Sequence, residues 1–263
     1  MIVKALLENT TENPALQTED GLSLYIEANG HKILFDTGCA SAFADNAQKL
    51  HVDLSQVDIA VLSHAHYDHG GGLLTFLSLN SKAPVYLSAD AFGEYLHGTD
   101  RYIGLDKALR GNPRLVLVSG NRSLGDGLEL LTGEGRALAE PIHPNGLTVR
   151  RNGVVVPEDF RHEQYLLITE GQKRVLISGC SHKGIVNVVH WFHPDVLIGG
   201  FHLMNLDPQS GGKAALDHIA KELLGFDTAY YTCHCTGVAQ YRYLKDQMKD
   251  RLFYLSAGQE IAL

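Results

Sequence analysis

The run Ser63-His64-Ala65-His66-Tyr67-Asp68-His69-Gly70-Gly71-Gly72 limits what this chain can fold into more than any other stretch. It follows Asp58-Ile59-Ala60-Val61-Leu62, an apolar segment expected to be a buried strand. Side chains alternate along an extended backbone, so His64 and His66 point the same way and can share one metal ion. The turn into the glycines then swings Asp68 and His69 toward a second point nearby. The end of a buried strand is also where α/β folds gather their ligand-binding groups. Three histidines and a carboxylate suit zinc, and equally iron or manganese, so the ligand types do not choose the metal.

The rest of the chain supports a mixed α/β architecture. Residues 22–28 and 32–36 are expected to form a hairpin turned at Asn29-Gly30, a dipeptide that tight turns favour. Residues 41–50 and 71–79 are expected to be helices and 85–88 a strand. Further strands are expected at 165–169, 174–178, 195–198, 228–232 and 253–256, with helices at 184–192, 212–224 and 239–250. The stretch 93–157 is richer in Gly, Arg and Asn, and is expected to hold strands plus an insertion that shapes the pocket. Strands interleaved with helices in two similar halves imply helices packed outside two sheets. No linker interrupts the 263 residues, so one domain spanning 1–263 is expected.

The partners of the first histidine cluster must come from the second half. Gly179-Cys180-Ser181-His182-Lys183-Gly184, Gly199-Gly200-Phe201-His202-Leu203 and Cys233-His234-Cys235-Thr236-Gly237 each follow an expected strand. Each puts a histidine at a strand's C-terminal end, so all can face one crevice. If strand alternation holds, Cys233 and Cys235 point away from a site that His234 faces, as core thiols. Gly199-Gly200 lets the backbone approach the site closely. Lys183 and the amides opening the helix after it are suited to an anionic group. His31, His51, His97, His143, His190, His193 and His218 lack ligand spacing and are expected to be structural or solvent-facing.

On these residues the chain resembles the metallo-β-lactamase superfamily, whose signature is His-x-His-x-Asp-His after a strand. The resemblance covers most of the chain and implies a four-layer αββα sandwich. It implies that Asp36, in Phe35-Asp36-Thr37-Gly38, supports the histidine loop from behind, fixing ring orientation and tautomer; a turn-forming role before Gly38 is the alternative. It implies one ion on His64, His66 and His182 and a second on Asp68, His69 and His234. Gly-Cys-Ser-His, Gly-Gly-Phe-His-Leu and His-Cys-Thr-Gly further resemble the branch related to ribofuranosylaminobenzene phosphate synthase and called dihydropteroate-synthase-related. Two departures stay open. Many relatives have a bridging aspartate where Cys180 stands, so Cys180 is either a bridging thiolate or a small buried residue. Where they carry His-Thr-x-Gly-His, this chain has Arg161-His162-Glu163-Gln164, leaving His162 or Glu163 as an alternative ligand.

The expected activity is hydrolysis by a metal-bound hydroxide of an ester, phosphoester or cyclic amide. Two divalent ions, zinc first with iron or manganese open, bring the pKa of bound water toward about 7. Asp68 orients or deprotonates the nucleophile. His202, left over once both ions are filled, is expected to act on the substrate or transition state. The branch resemblance implies a pterin-related or ribose-phosphate substrate. An iron-dependent redox enzyme and a non-catalytic metal or ligand sensor are the competing classes. A net charge of −8 disfavours a nucleic-acid partner. The first residues lack the apolar core of a signal peptide, no run approaches the roughly 20 residues of a membrane span, and four scattered cysteines suggest reduced thiols. A cytoplasmic protein acting on a small, anionic molecule, away from membranes, is expected.

Overall fold

In the computed structural model, which describes residues 1–263, the first sheet grows from the Asn29-Gly30 turn. Both residues take positive φ, 50° and 81°, the twist a two-residue hairpin requires. The turn joins strands Ser23–Ala28 and His31–Phe35 in antiparallel register, with Ile26 opposite Ile33. On one side the sheet continues antiparallel through Ile2–Leu7 to Glu260–Ala262. On the other it continues parallel through Ile59–Val61, Val85–Ser88 and Leu115–Val118, for seven strands in all.

The second seven-stranded sheet repeats this change of direction. Strands Lys173–Ile177, Val196–Gly199, Ala229–Thr232 and Leu252–Tyr254 run parallel. Gln164–Glu170, Leu128–Thr132 and Arg122–Gly125 extend it antiparallel. Alternate residues such as Ile26, Phe35, Val61, Ile168, Ile177 and Ile198 are fully or almost fully buried in one apolar layer between the sheets. The opposite faces are covered by helices. Helices α1 (Ala42–Lys49), α2 (Tyr67–Gly70) and α3 (Leu73–Leu79) belong to the first half, where Phe43 and Phe76 pack on Leu34, Ala60 and Val85. Helices α4 (Ile185–Phe192), α5 (Lys213–Leu224) and α6 (Val238–Met248) cover the second sheet, with Val189, Leu216 and Leu244 against Leu176, Leu197 and Tyr230. The four layers are αββα, as the resemblance implied.

The stretch 93–157 is more than an insertion, because its middle supplies strands to both main sheets. Its ends form a separate four-stranded antiparallel sheet of Glu94–His97, Arg101–Tyr102, Leu147–Arg151 and Val154–Pro157. That sheet stands over the carboxyl ends of the parallel strands. The N-terminal strand and the last strand, which pair Ile2 with Ala262, were not expected at all.

Candidate metal centre

The site lies where the parallel strands of both sheets end. Asp36 follows His31–Phe35 in a left-handed conformation, φ 60°, that turns its carboxylate toward the next strand's exit. Its Oδ1 accepts the Ser63 backbone N–H at 2.7 Å, and its Oδ2 accepts the Ser63 hydroxyl at 2.7 Å and His69 Nδ1–H at 2.6 Å. The Ser63 proton is therefore committed to Asp36, so Ser63 Oγ accepts Nδ1–H of His64 at 2.8 Å. Both His64 and His69 are left with a bare lone pair on Nε2, pointing into the site. Gly179 is required here, since a Cβ there would meet Ser63 Oγ at 2.2 Å.

His66 is set by a second chain of hydrogen bonds. The Ala65 N–H, which can only donate, gives its proton to His162 Nδ1 at 2.9 Å. His162 must then carry its own proton on Nε2, where it meets Glu158 Oε1. The other Glu158 oxygen accepts Nε2–H of His66 at 3.3 Å, leaving Nδ1 as the free nitrogen of His66. Burial works to raise the Glu158 carboxyl, but hydrogen bonds from His162 and His66 outweigh it and hold it at about 2.

The second half closes the site. Glu163 accepts the backbone N–H of His182 at 2.6 Å and of Lys183 at 3.0 Å, and the Tyr165 hydroxyl at 2.6 Å. This holds the loop before α4 so that His182 Nε2 lies 3.2 Å from His64 Nε2. Phe160 stacks on the other face of the His182 ring, 4.6 Å between centroids. His234, at φ 48°, gives Nδ1–H to Asn9 Oδ1 at 2.7 Å, and its Nε2 lies 3.2 Å from His69 Nε2. Asp68 Oδ2 lies 3.6 Å from His69 Nε2 and 3.5 Å from His234 Nε2, and Cys180 Sγ lies 3.1 Å from His69 Nε2.

These positions fit metal ions. Ligand atoms of His64, His66 and His182 converge within 4.8 Å, and so do those of Asp68, His69, Cys180 and His234. Two nitrogens bound tetrahedrally at zinc distances sit about 3.3 Å apart, close to both 3.2 Å Nε2–Nε2 separations. Bare lone pairs facing each other repel unless a cation lies between them. At His69 and His234 a proton can play that part, since Asp68 offsets burial and raises His234 to about 9. At His64 and His182 burial and the neighbouring imidazoles push both groups well below their ordinary value, so both rings are neutral, and the facing edge fits either an Nε2–H of His182 donated to His64 or an ion. His182 Nδ1 is a buried atom without any hydrogen-bond partner, so the ring's one hydrogen-bonding edge is the edge that faces His64.

All six expected ligands thus meet in these two groups, joined by Cys180. His162 and Glu163 do not, because one is spent on Glu158 and the other on the His182 loop. A third convergent group, His66, Glu158 and His162, is a closed hydrogen-bond chain. Cys233 lies in the core between the sheets, but Cys235 does not turn away as alternation required. Residues His234–Thr236 form a 3-10 turn, which breaks the period of two and brings Cys235 beside Cys180 and into the wall of the cleft. Lys183 is buried beside Glu163 and is not part of the cavity wall, so only the α4 terminus remains of the expected anion cradle. His202, at φ 52°, stands at the rim with its ring 4.3 Å from that of His182. Its Nδ1 lies 3.4 Å from Asn145 Nδ2. His97, His143 and His218 line cavities beside the site, which spacing did not reveal.

Residues 17–149 match the family model of the metallo-beta-lactamase superfamily. The chain belongs to that superfamily. A metallo-beta-lactamase superfamily structure described as a metal-dependent hydrolase superimposes with a TM-score of 0.80 at 28% identity, covering 100% of this chain and 99% of its own. A protein of Methanocaldococcus jannaschii named 7,8-dihydropterin-6-methyl-4-(beta-D-ribofuranosyl)-aminobenzene-5'-phosphate synthase is 28% identical, over 95% of this chain and 92% of its own length. An uncharacterised protein of the same organism is 29% identical, over 90% and 91%. The branch seen in the late motifs is thus met by a relative along nearly the whole chain.

Proposed function

We propose that this chain is a metal-dependent hydrolase with a two-ion centre, acting on an ester, phosphoester or cyclic amide. The observation that carries the reading is the pair of buried imidazole contacts, His64 to His182 and His69 to His234, each 3.2 Å between Nε2 atoms. Ions held there supply Lewis acidity and bring the pKa of a water toward about 7. The order zinc first, iron or manganese next, follows from a nitrogen-rich donor set with one thiol.

The residues divide the remaining work. Burial works to raise the Asp68 carboxyl, but His69 and His234 outweigh it and hold it below its ordinary range, so it is a carboxylate at neutral pH. Its other oxygen is available to accept a proton from an attacking water and aim it. Burial, with the imidazoles of His66 and His234, pushes His202 down to about 4, so it is neutral. Its Nδ1 faces the Asn145 amide, which leaves Nε2–H to donate to a developing oxyanion or a leaving group. His202 lines the same cleft as Asp68, Cys180 and His234, within reach of a substrate held there.

The relative named as a phosphate synthase favours a phosphate-bearing substrate, and it also supplies a second reading. In that reading a nucleophile other than water is joined to the substrate at the same centre. Protein loaded with zinc, iron or manganese in turn, offered phosphoesters, lactones and thioesters in ¹⁸O-labelled water, tests both. Hydrolysis places ¹⁸O in the product, and transfer does not. Two ions per chain and loss of most turnover in Asp68→Asn, with the fold retained, are expected; full activity with one ion rejects the two-ion centre.

A further inference from the structure

Two cavities of different character open on the candidate centre and share Asn145, His182, His202 and Asn205 in their walls. The smaller, about 280 Å³, holds Asp68, Cys180 and His234 and is lined by polar and apolar groups in similar measure. At its rim stands Arg101, whose guanidinium has one hydrogen-bond partner, the Tyr67 hydroxyl at 3.5 Å, and no carboxylate. The larger, about 550 Å³, lies beyond His182 and His202. Its walls are mainly hydrocarbon: Ile185 and Val186 of α4, Phe201 and Leu206 of the following loop, Ala215 and Ile219 of α5. Ala215 and Ile219 are four residues apart on one helical face, so α5 presents both to this space, with His218 beside them.

A cavity of this size, with mostly apolar exposed wall and a polar side formed by Glu140, His143 and His218, is what small-molecule sites use to bury the non-reacting part of a ligand. Its volume, about twice that of the cleft, suits a compact body better than a single alkyl chain. The unpaired arginine beside the ligand groups suits an anion. We propose, building on the hydrolase reading, that the substrate is a phosphoester-type anion bearing a ring-sized apolar substituent. The anionic group lies in the cleft under Arg101, the ring lies between α4 and α5, and the bond between them crosses at His202.

Phosphonates test this without turnover, because their carbon–phosphorus bond is not an ester. Zinc-loaded protein is titrated calorimetrically with methylphosphonate and with 1-naphthylphosphonate. The naphthyl compound is expected to bind on the order of 30-fold tighter, from the apolar area it removes from water. Ile219→Trp, which fills the chamber, is expected to bring that ratio near one and leave methylphosphonate binding unchanged. Arg101→Ala is expected to weaken both compounds by the same factor. If circular dichroism shows that Ile219→Trp does not fold, Ala215→Phe on the same face takes its place. A ratio near one in the unaltered protein, or a ratio that the filling variant does not change, overturns the chamber assignment and leaves the hydrolase reading standing. Failure of both phosphonates to bind zinc-loaded protein overturns the anion assignment, whereas the hydrolase reading falls only if the labelled-water assay shows no hydrolysis of any ester, lactone or thioester.

Discussion

Glu158 is the residue whose loss tells most about how this site is built, although it touches no expected ion. Its carboxylate bridges two imidazoles: the Ala65 N–H fixes the His162 proton on Nε2, and the carboxylate itself holds the His66 proton on Nε2. In Glu158→Gln the shape is kept, but the amide NH₂ must face one of the two N–H donors. Either His66 or His162 then loses its acceptor, or one ring changes tautomer. If His66 changes, its proton moves to Nδ1, the nitrogen that would otherwise be bare. Losing a hydrogen bond to a charged group costs about 1.5–3 kcal/mol, and outer partners of metal-ligating histidines are typically worth 10–100-fold in affinity. Zinc held by His64, His66 and His182 is therefore expected to weaken about 10–100-fold in chelator competition, with the second ion little changed. Long-range ¹H–¹⁵N spectra of histidine-labelled, metal-free protein give an independent reading. The unaltered chain should show His66 and His162 as Nε2–H tautomers, and the variant should show one of them altered. Affinity within twofold of the parent, or a parent His66 protonated on Nδ1, would refute the reasoning.

Other consequences follow from the same contacts. His182→Ala should sharply lower metal content, whereas His162→Ala should lower it only through the loosened Ala65 loop; the reverse order of metal analyses would make His162 the ligand. His202→Ala should keep both ions and reduce turnover about 10²–10⁴-fold, and loss of an ion in that variant would make His202 a ligand instead. Metal uptake should release protons at pH 7.5, because His234 is raised to about 9 and burial pushes the Cys180 thiol well up. Both groups are protonated without metal and must give up that proton to bind it, so affinity rises with pH, the His234 contribution levelling off at about 9 and the Cys180 contribution continuing above it. Calorimetry in buffers of different ionisation enthalpy counts these protons, and Cys180→Ala releasing as many as the parent would remove Cys180 from the ligand set.

Much of the candidate centre was legible because its first candidate ligands are neighbours in the chain. His64, His66, Asp68 and His69 follow one strand, and strand alternation followed by a turn suffices to place them. The Asn29-Gly30 hairpin and most helices were legible for the same local reason. What stayed hidden depends on distant residues. Glu158 is defined by what His66 and His162 need, and Asn9 meets His234 across 225 positions. The strand pairing of Ile2 with Ala262 joins the two ends of the chain, where neither segment shows a clear period on its own. Cys235 was misplaced because alternation was carried one residue too far, past the left-handed His234 at φ 48° where the strand has already ended. The Ala65 N–H that engages His162 Nδ1 is a donor that no side-chain motif displays.

Each group of candidate ligands draws on both sheets. His64 and His66 leave the first sheet and His182 the second; Asp68 and His69 leave the first, Cys180 and His234 the second. An ion at either position is therefore a cross-link between two halves whose shared core is a layer of hydrocarbon. Neither half contains a complete set, so the centre exists only once the sheets have docked in register. Metal occupancy then certifies correct closure, and each ion bound to the native state alone resists unfolding by mass action, about 4 kcal/mol at a free concentration a thousand times its dissociation constant. Split between the sheets and expressed as two fragments, the chain should reassemble more tightly with zinc than without it, the ion acting as the rivet.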